Sequence, residues 1–165
     1  MNVRLIQSRD ITLFLPIIQD VELGDRFLLS MLHWCGIGKR ASELQLWEVY
    51  LAMDDAIPVG VCGLYQNPGM PNHLAWLSWL GIRKTFRQQG VGSAMLTSLV
   101  KLAQSKHGFS ELWVYTDDKD TNVHGFYERA GFRFAGIGGS VAPDVVMSPT
   151  DKVFCLNLAK PNLPQ

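Results

Sequence analysis

Two short segments of the chain carry residue types and spacings that chemistry can use. The first is Arg87-Gln88-Gln89-Gly90-Val91-Gly92-Ser93-Ala94, which joins a predicted strand to a predicted helix. The first backbone N–H groups of a helix have no intrahelical acceptor and sit at the positive end of its dipole, so they form an anion site. Gly90 and Gly92 place no β-carbon between that backbone and a ligand, and Arg87 adds a cation at the rim. A phosphate or pyrophosphate is the natural guest. The segment lacks the GxxxxGK[ST] of a P-loop, and Met95 stands where a dinucleotide fingerprint needs its third glycine. An ordinary polar turn with two glycines accounts for the same residues. The second segment runs Asn122-x-x-x-Phe126-Tyr127-x-x-x-Gly131-Phe132. It offers an amide and a phenol on one short helix, and a plain amphipathic helix with Tyr127 half-buried accounts for it equally well.

Other reactive side chains are scattered. Cys35, Cys62 and Cys155 are odd in number and widely spaced, which is no disulfide framework, and no CxxC or HxxxH pair suggests zinc. The thiols are therefore expected to be inert, and no metal is expected. His73 and His124 read as surface residues, and His107 as a cation at the end of a helix. Asp54 and Asp55 read as turn residues, and residues 117–120 as a solvated loop and helix entry. About four of the five tryptophans, Trp34, Trp47, Trp76, Trp79 and Trp113, are expected in the core.

The elements that must position these residues follow from apolar periodicity. Residues 3–6 read as a strand. Residues 10–27 read as a helix, with Pro16 kinking it or delaying its start. Residues 27–34 form a second short helix, ended by the two glycines of 35–39. Strands are expected at 45–53 and 59–65, joined as a hairpin, and at 74–82 after the turn-rich stretch 67–72. The apolar stripe Val91, Ala94, Met95, Leu99, Leu102, Ala103 is a helix with Thr97, Lys101 and Gln104 outside, stopped by Gly108. A strand at 111–116 completes a strand–helix–strand unit. A helix at 122–129 follows, capped by Asp120 or Thr121 and ended by Gly131. Strands at 132–135 and 152–158 flank a long loop, and long loops in compact domains are often functional. The fold class is α/β (α+β): a mixed, mostly antiparallel sheet of about seven strands with about four helices.

Composition bounds the reading. A chain of 165 residues is the length of one domain, so residues 1–165 are expected to form a single unit. Apolar residues make up 47% and charged residues 18%, the balance of a core-rich globular protein. Fifteen Lys and Arg offset fifteen Asp and Glu, so the basic excess of a nucleic-acid binder is missing. No apolar run spans a bilayer and the N-terminus has no signal-peptide core, so a soluble, cytoplasmic protein without a membrane partner is expected. Exposed sheet edges leave room for a homodimer.

Taken together, residues 80–92 resemble the acetyl-CoA motif of the GNAT superfamily of N-acetyltransferases, which ends in (Arg/Gln)-x-x-Gly-x-(Gly/Ala); Arg87, Gly90 and Gly92 match it. Residues 122–132 are similar to that family's next motif, Asn-x-x-x-x-Tyr-x-x-x-Gly-Phe. The resemblance implies the GNAT-like acyl-CoA N-acyltransferase fold and acetyl-CoA as cosubstrate. It implies that the N–H groups of Gln88, Gln89, Gly90, Val91, Gly92 and Ser93 hold the pyrophosphate. It further implies that the Leu80 and Ile82 strand pairs with the pantetheine arm while Asn122 bonds it from the other side. Tyr127 would stand at the thioester sulfur as general acid.

The acceptor is then a primary amine on a small molecule or a peptide. Many members carry Glu where this chain has Trp76. If Trp76, Ser78, Leu80 and Ile82 share one strand face, the base is a water relayed through Ser78 or lies elsewhere, with Glu48 and His33 as candidates. The expected acceptor pocket comprises residues 29–38, the Trp76/Ser78 face and residues 136–148. A non-catalytic acyl-CoA-binding module, and an enzyme binding ATP or NAD, are the alternatives.

Overall fold

The computed structural model describes residues 3–21, 23–38, 44–142 and 145–159. Lys39 of the expected helix stop and Pro143 of the long loop lie outside them. The order is β1 (Val3–Ile6), α1 (Ile11–Asp20), α2 (Gly24–Trp34), β2 (Leu46–Asp54), β3 (Ile57–Gln66), β4 (Leu74–Ile82), a 3-10 turn (Lys84–Phe86), α3 (Val91–His107), β5 (Glu111–Thr116), α4 (Thr121–Arg129), β6 (Arg133–Ile137), α5 (Gly138–Val141) and β7 (Lys152–Asn157). The strands form one seven-stranded sheet in the order β1-β2-β3-β4-β5-β7-β6. Every neighbouring pair is antiparallel except β4 and β5, which the α3 crossover makes parallel. Among the described residues, no helix is long and apolar enough to cross a membrane.

The two sheet faces have separate cores. Alternation along the strands sends Cys62, Leu64, Ala75 and Leu77 against Met95 and Leu99 of α3. It sends Val49, Leu51 and Val61 against Phe14, Ile17, Phe27 and Met31 of α1 and α2. On that second face a smaller cluster joins Trp76, Val145 and Val153, with Trp113 and Tyr115 packed against it.

The structure corrects the sequence reading at the first helices. Instead of one helix over 10–27, α1 starts at Ile11, where the Asp10 carboxylate accepts Thr12 N–H at 2.9 Å. It runs through Pro16 and stops at Asp20, and Val21 is extended. Tertiary contacts fix this stop. The Asp20 carboxylate accepts from Arg83 Nε at 3.3 Å and Lys84 N–H at 3.1 Å, pinning the end of α1 to the end of β4. Gly81 lets that corner close, since a β-carbon there would stand 2.7 Å from Val21 Cγ1. A fifth helix, the single turn α5, lies within the expected long loop.

Candidate active site

The parallel pair β4/β5 is joined over only three rungs, Leu74↔Glu111, Ala75↔Leu112 and Trp76↔Trp113. Beyond Trp76 the two strands part, and β4 continues to Ile82 bonded only to β3. The edge of β4 turned toward β5 therefore carries backbone groups with no ladder partner, which an extended ligand can pair with as an added strand.

The turn 87–90 stands beyond the open end of this wedge, where β4 gives way to α3. Gln88 and Gly90 both take left-handed conformations, with φ of 59° and 80°. Gly90 is the N-cap of α3 and supplies no side-chain cap, so the first N–H groups of the helix are left for an external acceptor. Two side chains hold the turn in shape: Arg87 Nε donates to Ile82 O at 3.0 Å, and Gln89 Nε2 donates to Thr85 O at 2.8 Å. Gln88, Gln89, Gly90 and Ser93 are exposed; Val91 and Gly92 are buried. The expectation that Gly92 clears a ligand's path is corrected. A β-carbon there would meet Ile82 Cδ1 at 2.9 Å and Phe126 at 3.5 Å, so this glycine lets α3 approach β4 and α4.

Tyr127 comes from α4. Its ring is enclosed by Phe126 at 5.2 Å and Phe132 at 5.3 Å, centroid to centroid. Its hydroxyl has no hydrogen-bond partner among the described residues. Burial, with a smaller effect from the neighbouring Cys62, pushes the phenol far above its ordinary range, so it is protonated at neutral pH. Cys62 is fully buried on β3 and its thiol is pushed up to about 12 by desolvation, which leaves it inert. Asn122 is exposed in the first turn of α4, whose N-cap is Asp120.

The expected single face of Trp76, Ser78, Leu80 and Ile82 does not exist. The β3/β4 register slips between Val61↔Gly81 and Gly63↔Ser78, and Trp79 has a φ of 49°. This bulge inverts the alternation. Leu80 and Ile82 pack on the α3 core, while Trp76 lies on the opposite face and Trp79 packs on the α1/α2 core. A bulky residue in the left-handed region costs about 1–3 kcal/mol and persists only where packing holds it; the Trp79 ring lies 5.6 Å from Phe27 of α2. Ser78 Oγ is buried without a hydrogen-bond partner among the described residues.

Other sequence expectations resolve as follows. Glu48 lies on the α3 face at the far end of that helix. It accepts from Lys106 Nζ at 2.6 Å, meets His107 Nε2 at 2.9 Å and accepts the Tyr50 hydroxyl. Burial pushes its carboxyl up, but those hydrogen bonds outweigh it and hold the group below its usual range. Through the ladder Glu48↔Leu64↔Leu77 this residue stands level with the point where β4 and β5 part, but on the α3 face, opposite Ser78, and with its carboxylate engaged by these three partners. His33 is half-buried on α2 beside Gly38. His124 is buried, not a surface residue: Nε2 lies 2.9 Å from Asp117 O and the ring packs on Phe154, because α4 turns that side inward. Only Trp34 and Trp76 of the five tryptophans are buried; Trp47, Trp79 and Trp113 are half-buried. Asp20, which braces the turn, lies 63 positions from Arg83, and no sequence signal links them.

A sheet that parts between two parallel strands, with a helix N-terminus at its open end, defines an acyl-CoA N-acyltransferase fold. The Acetyltransferase (GNAT) family model matches residues 20–132, and the chain belongs to that family. It is thus an acyl-CoA-dependent N-acyltransferase by class. No curated relative matches. Among solved structures, a GNAT-family acetyltransferase from Staphylococcus aureus Mu50 is 15% identical, with 95% of this chain and 99% of that chain covered and a TM-score of 0.70. A GNAT-family acetyltransferase from Elizabethkingia anophelis, solved with acetyl-CoA bound, is 17% identical over 94% and 98%, with a TM-score of 0.65. The ribosomal-protein-S18-alanine N-acetyltransferase of Escherichia coli is 17% identical over 99% of both chains, with a TM-score of 0.67. These likenesses show the fold.

Proposed function

We propose that this protein transfers the acetyl group of acetyl-CoA to a primary amine by direct attack in a ternary complex. The observation that carries the proposal is the wedge: β4 loses its β5 partner after Trp76 and leads toward the uncapped first turn of α3. The unpaired β4 edge fits an extended amide-bearing arm, and the turn fits a pyrophosphate. The N–H groups of Gln88 to Ser93 take the phosphates, with Arg87 and Gln89 holding the turn. Backbone groups of Leu80 and Ile82 pair with the arm, and the Asn122 amide bonds it from the α4 side.

In the reaction, the neutral amine nitrogen bonds to the thioester carbonyl carbon, the C–S bond breaks, the nitrogen loses a proton and the sulfur gains one. Tyr127 supplies the hydrogen bond at the sulfur. Its phenol is held protonated and has no competing partner among the described residues, as a donor to a developing thiolate must be. Ser78, with an unpartnered Oγ on the other face of β4, relays the amine proton through water. No side-chain nucleophile is needed.

The test is calorimetric titration with acetyl-CoA of the wild type, Gly90→Ala and Gly90→Glu. Alanine controls for the left-handed backbone; glutamate adds a carboxylate at the phosphate position. Binding retained in the alanine variant and lost in the glutamate variant is expected. Equal binding in all three would remove the turn as the phosphate site, and no binding in the wild type would remove the proposal.

A further inference from the structure

Trp76 and Trp113 form the last rung before β4 and β5 part, and both side chains lie on the face opposite α3. There they floor a groove of about 530 Å³ with Leu74, walled by Met70 and Pro71 of the β3–β4 loop and by Val141 of α5. The size suits a small molecule or one terminal side chain. Among the described residues, every side chain lining it is uncharged, and most are apolar or aromatic. Trp76 offers only an edge, being 3% exposed, while the half-buried Trp113 offers more of its ring. Its indole is fixed by donation from Nε1 to Glu111 Oε2 at 2.9 Å. Ser78 lies two residues beyond Trp76 on the same side of β4, about 7 Å along the strand. A body seated in the groove thus directs a short amine arm to the apex of the wedge.

We infer that this groove is the acceptor subsite, and that it selects a primary amine carried on an uncharged aromatic body. The inference rests on the amine-transfer reading above. A second charge on the acceptor would lose hydration against the apolar walls, and the Glu111 carboxylate at the floor is already engaged by the Trp113 indole. A flat ring replaces that loss with indole contact. A free arylalkylamine and a peptide beginning with an aromatic residue share this chemistry.

The experiment is calorimetric titration of the CoA-saturated protein with 2-phenylethylamine, the peptide Phe-Ala-amide and spermidine. At least one aromatic amine is expected to bind about tenfold or more tightly than spermidine. Tightest binding by phenylethylamine assigns a free amine, and tightest binding by the peptide assigns a chain terminus; either supports the inference. Trp113→Ala should lose the preference while acetyl-CoA affinity is kept. Should that variant fail to fold, Met70→Glu on the loop places a carboxylate in the groove and should shift preference toward spermidine. Spermidine binding as well as both aromatic amines in the wild type, or a preference unmoved by either folded variant, overturns the inference. Failure of the wild type to bind acetyl-CoA is a separate result that strikes the transfer reading itself.

Discussion

The Cδ1 methyl of Ile82 lies 2.9 Å from the point where a β-carbon on Gly92 would stand. The last residue of β4 and the first turn of α3 are thus in direct contact, and the depth of that contact sets how α3 presents its N–H groups. Gly92→Ala pushes on the flexible tip of an isoleucine, so a cost of about 1 kcal/mol is expected. Gly92→Val also meets Phe126 and should cost more. Urea denaturation reads both. An acetyl-CoA affinity that falls with the size of the added group would show that packing here tunes the anion site; constant affinity would show that it does not.

Tyr127→Phe separates chemistry from stability. The hydroxyl makes no hydrogen bond to the described residues, so its removal should change unfolding free energy by less than about 0.5 kcal/mol. Turnover of an accepted amine should fall about 10²-fold or more if the phenol donates to the leaving sulfur. Unchanged kcat with unchanged stability would take Tyr127 out of the reaction.

Glu48 ties β2 to the end of α3 and should matter for stability alone. Its folded-state carboxyl is held below the ordinary value of 4.5 by Lys106, Tyr50 and His107 against the opposing effect of burial. The stabilisation is therefore fully present above the unfolded value and is lost as pH falls through the lower, folded one. Lys106 is 43% exposed, so solvent screens its share. Glu48→Gln should cost about 1–3 kcal/mol at neutral pH. It should also flatten the decline in stability on acidification below about pH 5. Acetyl-CoA affinity and the pH profile of turnover should not move; a lost acidic limb in that profile, with turnover sharply reduced, would reinstate Glu48 as the base.

Asp20→Asn tests the brace beneath the turn that opens α3. The carboxylate accepts from the Arg83 guanidinium and from Lys84 N–H, and an amide keeps one acceptor but loses the charge. A loss of about 1 kcal/mol in stability is expected, with weaker acetyl-CoA binding as the 3-10 turn at Lys84–Phe86 loosens. Full affinity in a destabilised variant would confine Asp20 to anchoring α1.

Local signals by themselves determined much of this protein. Strands at 74–82 and 111–116, the long amphipathic helix between them and the glycine stop at Gly108 all lie where period and cap chemistry place them. The glycine turn that opens α3 was legible because glycine spacing and a helix start are properties of neighbouring residues. The tertiary structure decided what depends on contacts between distant positions. The end of α1 is set by Asp20 reaching Arg83, 63 positions away. The bulge at Trp79 is set by register against β3 and packing on Phe27, and it divided a face that strict alternation would have kept whole. Gly92 looked like clearance for a ligand and proved to be clearance for Ile82 and Phe126. The rung Trp76↔Trp113, where the sheet opens, carries no mark in either strand. Parting of two strands is a property of the pair, and periodicity within one strand cannot encode where its neighbour leaves it.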